Sequence, residues 1–299
     1  MSQPIEVIIN AGSGSVEAEE TKRQLTQLFE ENGVDANIHL AKDGGEIVEL
    51  AKKLSNGEAE IIVAGGGDGS VSAVAEEVLK ADKILGVLPL GTLNNFSKDL
   101  QIPQEIEEAV RVIAERLVKT IDVGEVNGHI FVNNSSIGLY PQIVKRREKQ
   151  QRLGHGKWRA AFWAALKLLK RSPFFAVRLE TEKGTRIVKT PFVFVGNNEY
   201  TIDGTRLGSR ERLDEGMLFV YLAPRTRARD LPLLLAKALV GRARQSGEFE
   251  IVRASDVWID KSRSGRAQHV ALDGEIRIIN TPLHYQTRPG ALRVVVPRS

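Results

Sequence analysis

The chain has no cysteine. Disulfides and thiolate metal sites are therefore excluded, while the compartment stays open. No apolar run approaches the length needed to span a bilayer. Met1-Ser2-Gln3-Pro4 has neither the basic nor the apolar region of a secretory leader, so a soluble cytoplasmic protein is expected. Two familiar nucleotide signatures are missing. No Gly-Lys-Ser/Thr closes a Walker A loop, and no G-x-G-x-x-G marks a dinucleotide fold. The histidines His39, His129, His155, His269 and His284 lack close ligand spacing, which argues against zinc. Net charge is only +4, from 42 basic and 38 acidic residues. That mild excess does not indicate nucleic acid as a partner.

What is present is Gly65-Gly66-Gly67-Asp68-Gly69-Ser70, directly after the apolar run Ile61-Ile62-Val63-Ala64. A buried strand, a glycine-packed turn and a helix make a phosphate-binding geometry. Glycines let the backbone approach a ligand, and the helix start offers free N–H groups and a positive dipole end. Asp68 adds one carboxylate, suited to Mg²⁺ or to removing a proton. The plainer alternative is an ordinary β–α turn with Ser70 as N-cap.

The 299 residues suggest two domains. The first part alternates strand and helix. Strands are expected at 5–10, 34–40, 60–64 and 84–88, and helices at 16–32, 45–54, 70–80 and 103–117. This order implies an α/β domain with a parallel sheet and helices on both faces. Beyond about residue 122, strands follow one another at 123–126, 130–134, 175–180, 185–195, 217–223, 249–259, 268–279 and 292–296. They read as a mostly antiparallel β-sandwich, interrupted by helical stretches near 156–170 and 228–239. The expected domains are 1–123, completed by 285–299, and 124–284.

Three strand-end loops are built for close backbone approach: Asn10-Ala11-Gly12-Ser13-Gly14, Gly65–Ser70, and Gly91-Thr92-Leu93-Asn94-Asn95. In an open parallel sheet they share the carboxyl edge, where ligands bind. Glycine N–H groups can hold phosphate oxygens. The Thr92 hydroxyl and the Asn94 amide can hydrogen-bond a nucleotide.

These loops, with the late Leu272-Asp273-Gly274-Glu275, resemble the diacylglycerol kinase catalytic-domain family, which includes sphingosine and ceramide kinases. Order and spacing are similar to the soluble bacterial lipid kinases over nearly the whole chain. The resemblance implies an N-terminal nucleotide-binding domain and a C-terminal β-sandwich that receives the lipid. It implies ATP contacts from Asn10, Gly66, Gly67, Asp68, Gly69, Ser70, Gly91, Thr92 and Asn94. It further implies catalytic roles for Asp68 and Glu275, the latter as proton acceptor for the lipid hydroxyl. Read without the family, Asp273-Gly274 is a tight hairpin turn. A second, structural Mg²⁺ is implied at Glu215 with the carbonyls of Arg212 and Met217; the alternative there is an acidic turn.

The chain departs from the family at three places. Asn95 stands where the family has aspartate, part of a Mg²⁺ network resembling one built here from Asp68 and Asp122. Ser70 replaces threonine, and Ala41 stands where relatives often have an ATP-contacting threonine. The expected function is γ-phosphoryl transfer from ATP to a lipid with a free hydroxyl, of diacylglycerol type. Rival readings are an NAD kinase-like enzyme, which shares Gly-Gly-Asp-Gly and an Asn-Glu pair like Asn198-Glu199, and a non-catalytic nucleotide- or lipid-binding protein. Residues 145–171 combine a cluster of Lys and Arg with Trp158, Phe162, Trp163, Leu166 and Leu169. Peripheral contact with an anionic membrane surface is expected there; the alternative is a packed amphipathic helix.

Overall fold

The computed structural model describes residues 4–12, 15–138, 175–182, 184–203, 206–222, 250–261 and 267–298. The expected helices near 156–170 and 228–239, and the basic segment 145–171, lie outside the described residues. The chain divides into two units, Met1–Val123 with Pro289–Ser299, and Gly124–Arg288.

The first unit runs β1 (Ile5–Asn10), α1 (Ser15–Glu31), β2 (Ala36–Ala41), α2 (Gly44–Ser55), β3 (Ile61–Gly66), α3 (Asp68–Lys80), β4 (Ile84–Pro89), α4 (Asn95–Asp99) and α5 (Ile106–Glu115). Strand order is β2-β1-β3-β4, all parallel. Every residue of β3 and β4 is buried, as expected of strands covered on both faces. Helix α2 packs with α3, and α1 with α5. Helix α2 starts where its residues dictate: Asp43 accepts from the N–H groups of Gly45 and Glu46, and Glu46 accepts from Lys42 N at 2.7 Å.

Strand β5 (Val118–Val126) leads into the second unit. There follow β6 (His129–Phe131), β7 (Asn134–Gly138), β8 (Phe175–Thr181), β9 (Gly184–Thr190), β10 (Phe192–Asn197), β11 (Thr201–Asp203), β12 (Arg206–Ser209), β13 (Leu218–Leu222), β14 (Glu250–Ala254), β15 (Asp256–Lys261), β16 (Ala267–Leu272), β17 (Glu275–Asn280) and β18 (Leu283–Val295). One antiparallel sheet has the order β14-β13-β10-β7-β16-β17; β18, β15, β8 and β9 pair in a second. Between them lies an apolar core that includes Ile137, Val195, Val220, Val257, Ile259 and Tyr285. The long β18 runs on into the first unit, where Arg293 and Val294 pair in parallel with Ile84 and Leu85 of β4.

The α/β and β-sandwich classes are as expected from the sequence. Several boundaries differ, each for a local reason. The expected strand 185–195 is two strands in different sheets. Pro191 has no N–H to continue a ladder, and the chain changes sheet there. The expected strand 249–259 likewise divides at Ser255 between β14 and β15. The expected strand 268–279 is a hairpin: Asp273 (φ 47°) and Gly274 (φ 93°) form a two-residue turn between Leu272 and Glu275. The short helix α4 was not anticipated. Helix α3 begins at Asp68, with Gly67 as N-cap rather than Ser70.

Candidate functional site

The candidate residues divide between the two units. In the first, strand order 2-1-3-4 reverses direction between β1 and β3. That is the position where open α/β sheets leave a crevice at the strand carboxyl ends. Asn10 ends β1, and Gly66 ends β3. The Asn10 amide donates to the Ser70 hydroxyl at 3.0 Å. Its oxygen accepts from Gly12 N at 3.0 Å, which shapes the turn after β1.

Helix α3 enters this crevice with no side-chain cap on its first turn. The first intrahelical bond is donated by Val71 N to Gly67 O, at 3.1 Å. The N–H groups of Asp68, Gly69 and Ser70 therefore have no acceptor within the helix. The glycines are required by contact. A Cβ on Gly66 would lie 2.8 Å from Ser70 Cβ, and one on Gly91 would lie 2.3 Å from Gly67 Cα. The β3 and β4 loops thus touch backbone to backbone.

Asp68 links the same two loops through its side chain. One carboxylate oxygen accepts from Phe96 N at 2.9 Å. The other accepts from Asn95 N at 3.2 Å and Asn95 Nδ2 at 3.3 Å. Asp68 therefore stands at the start of α4 and satisfies its first donors. The sequence reading missed this second task; the signal available was a short polar stretch, Asn94-Asn95, ahead of Phe96.

Asn94 shapes its own loop. It is buried and left-handed (φ 51°, ψ 44°). Its oxygen accepts from Gly91 N at 3.0 Å, and its amide donates to Pro89 O and Gly91 O at 3.0 and 2.9 Å. These bonds hold the loop together. Thr92, by contrast, is exposed at the loop tip. Lys98 Nζ donates to the neighbouring Leu93 carbonyl at 2.6 Å. Asp122 is buried, and its Oδ1 accepts from Gly290 N at 2.9 Å, which anchors a left-handed glycine. Ala41 is fully buried. Beside the loops lies a cleft of about 630 Å³, lined by Asn10, Glu17, Thr21, Gly91, Gln104 and Glu107 among others.

In the second unit, Glu275 is exposed at the first position of β17, directly after the Asp273-Gly274 turn. The Asp273 carboxylate accepts from the N–H groups of Val132, Asn133 and Asn134, each at 2.8 Å. Farther along, Glu215 Oε2 accepts from Glu199 N at 3.1 Å. Glu215 N donates to Asn198 Oδ1 at 3.1 Å, and Asn198 N donates to the Met217 carbonyl at 3.1 Å. Glu215 and Met217 thus close on one asparagine, while the Arg212 side chain turns to Asp214.

Among the described residues, no three His, Cys, Asp or Glu side chains gather into a metal cluster. Asp68 presents one carboxylate, and this suits Mg²⁺, which takes one or two carboxylates and completes its shell with water and substrate phosphates. Glu215 with two carbonyls is likewise a hard-oxygen donor set. Among the described residues, no helix is long and apolar enough to cross a membrane.

Known proteins share the α/β domain and the β-sandwich. The diacylglycerol kinase catalytic domain family matches residues 4–126. The YegS C-terminal NAD kinase beta sandwich-like domain family matches residues 136–296, more than half of the chain. A Chromohalobacter salexigens protein named "Probable lipid kinase YegS-like" is 27% identical over 282 residues, 92% of this chain and 88% of that protein. The Bacillus subtilis protein named "Diacylglycerol kinase" is 34% identical over 141 residues, 46% of each chain. Among solved structures, a diacylglycerol kinase from Bacillus anthracis superposes with a TM-score of 0.68 at 20% identity, covering 98% of this chain and 97% of that one. A second structure from the same organism reaches 0.75 at 23% identity, over 98% and 95%. Identities at this level speak for the fold.

Proposed function

The chain belongs to the diacylglycerol kinase catalytic-domain family of lipid kinases, and from that premise we propose that it transfers the γ-phosphoryl group of ATP to the hydroxyl of a diacylglycerol-like lipid. The observation that carries the ATP half is the uncapped start of α3 at the switch point. There three backbone donors and a helix dipole face a crevice floored by glycine. Asn10 and Ser70 set the wall of that crevice, and the exposed Thr92 hydroxyl serves the nucleotide from the neighbouring loop. Gly91 and Asn94 keep that loop in register.

In the proposed step, the acceptor oxygen forms a bond to the γ-phosphorus as the bond to the β,γ-bridging oxygen breaks, releasing ADP. Glu275 takes the proton from the acceptor hydroxyl. The exposed Glu275 carboxylate, fixed at a strand start, supports this role. Such transfers rest on positioning and charge neutralisation. Mg²⁺ would be held by Asp68 and the phosphates, and would supply charge neutralisation. A second Mg²⁺ would be held by Glu215 with the Arg212 and Met217 carbonyls, as a structural ion.

A lipid acceptor calls for contact with a bilayer surface. We assign that contact to the basic segment 145–171, with the protein cytoplasmic and bound peripherally. Vesicle pelleting that depends on anionic lipid and weakens with salt is the expected result. The activity is tested by label transfer from ATP, with Mg²⁺, to diacylglycerol in mixed micelles. Transfer lost in Glu275→Gln but with ATP binding retained supports the assignment. Unchanged transfer in that variant contradicts it.

A further inference from the structure

The stretch that binds Asp273, two residues before Glu275, is itself bound by a buried cation. Arg210 is only 3% exposed. Its guanidinium donates to the Val132 carbonyl at 2.7 Å, the Asn197 carbonyl at 3.0 Å and Asn133 Oδ1 at 2.6 Å. It also lies 5.4 Å over the Tyr200 ring, and the Tyr200 hydroxyl accepts from Asn134 Nδ2 at 3.2 Å. These contacts reach the stretch 132–134 that joins β6 to the start of β7, or lead to it, as Asn197 does by donating its N–H to the Asn133 carbonyl at 3.0 Å.

The N–H groups of that link go the other way. All three donate to Asp273, and Asp273 N donates back to the Asn134 carbonyl at 2.9 Å. The link is therefore gripped by a cation at its carbonyl and side-chain oxygens and by an anion at its N–H groups. Charged partners strengthen hydrogen bonds, and a peptide group polarised from both ends strengthens both. The residue after the Asp273-Gly274 turn is Glu275. A fork of fixed geometry suits this task, because its donors are spread over three nitrogens, whereas the three donors of a lysine ammonium converge on one.

We propose that Arg210 is a positioning residue for phosphoryl transfer, acting through the 132–134 link and Asp273 to fix the turn that presents Glu275. The inference rests on Glu275 being the proton acceptor. Asp273, on this account, is a positioning residue as well, and its carboxylate is not a second base.

The test compares wild type, Arg210→Lys, Asp273→Asn, Glu275→Gln and the Arg210→Lys/Glu275→Gln double variant. Label transfer from ATP to diacylglycerol is measured with Mg²⁺, and hydrogen exchange is followed at the amides of Val132, Asn133 and Asn134. Arg210→Lys is expected to retain the fold and the KM for ATP, to exchange faster at those amides, and to lower kcat by about 10- to 100-fold, the scale of a small misplacement of a reacting group. Asp273→Asn is expected to behave alike. In the Glu275→Gln background, Arg210→Lys is expected to lower the residual rate no further. An unchanged kcat in Arg210→Lys, or an equal drop with and without Glu275, overturns the positioning role while the base assignment stands. Full activity in Glu275→Gln overturns the base assignment and this inference with it.

Discussion

The Asp68 carboxylate accepts a 2.9 Å hydrogen bond from the backbone N–H of Phe96, so a residue in the first turn of α3 also caps α4. Two loops that the chain separates by helix α3 and strand β4 are thereby tied together. Asp68→Ala is expected to lose kinase activity and also to cost about 1–2 kcal/mol of stability, the usual loss for a helix cap. Urea unfolding of the variant against wild type measures the second effect. A variant as stable as wild type would show that the cap contributes nothing.

Gly91 meets Gly67 too closely for a side chain. Gly91→Ala must push the β3 and β4 loops apart, at roughly 1–3 kcal/mol for an overpacked contact. Weaker ATP binding in calorimetry is expected to accompany the lowered melting temperature.

The Tyr285 hydroxyl and the Ser135 hydroxyl form a 3.0 Å pair inside the sandwich. Tyr285→Phe leaves Ser135 without that partner and is expected to cost about 1–2 kcal/mol; the double variant with Ser135→Ala should cost less than the two single changes added. Burial raises the Tyr285 pKa well above its ordinary value of 10.0, and the Ser135 bond opposes it. A raised folded-state value means that Tyr285 leaves stability unchanged below about pH 10 and lowers it as pH rises further. The stability gap between wild type and Tyr285→Phe is therefore expected to narrow above pH 10 in urea titrations.

Glu215 is held by Glu199 N and Asn198. If it carries a structural Mg²⁺, excess Mg²⁺ raises the melting temperature of wild type and raises it less in Glu215→Gln. Equal shifts in both proteins would remove the ion from this position.

Much of this was legible before the fold was known. The apolar run Ile61-Ile62-Val63-Ala64 followed by glycine could only be a buried strand entering a tight turn, and the structure has both. Asp273-Gly274 carries its own hairpin geometry. What one sequence does not show is where a polar side chain spends its hydrogen bonds. Asn94 has the chemistry of a ligand contact and is turned inward, because Gly91 and Pro89 present three partners within its reach. Arg210 stood among surface-type residues and is buried, because its partners come from 132–134 and from Asn197, distant along the chain. Pro191 and Ser255 broke expected strands for a related reason. Periodicity continues across them, while the ladder moves to the other sheet.

The most direct test is transfer of ³²P from labelled ATP, with Mg²⁺, into a panel of hydroxyl-bearing lipids in detergent micelles, with NAD in parallel. The account predicts label in a diacylglycerol-like lipid, lost in Asp68→Ala and in Glu275→Gln. Label in NAD, or ATP binding with no label in any lipid, would contradict it.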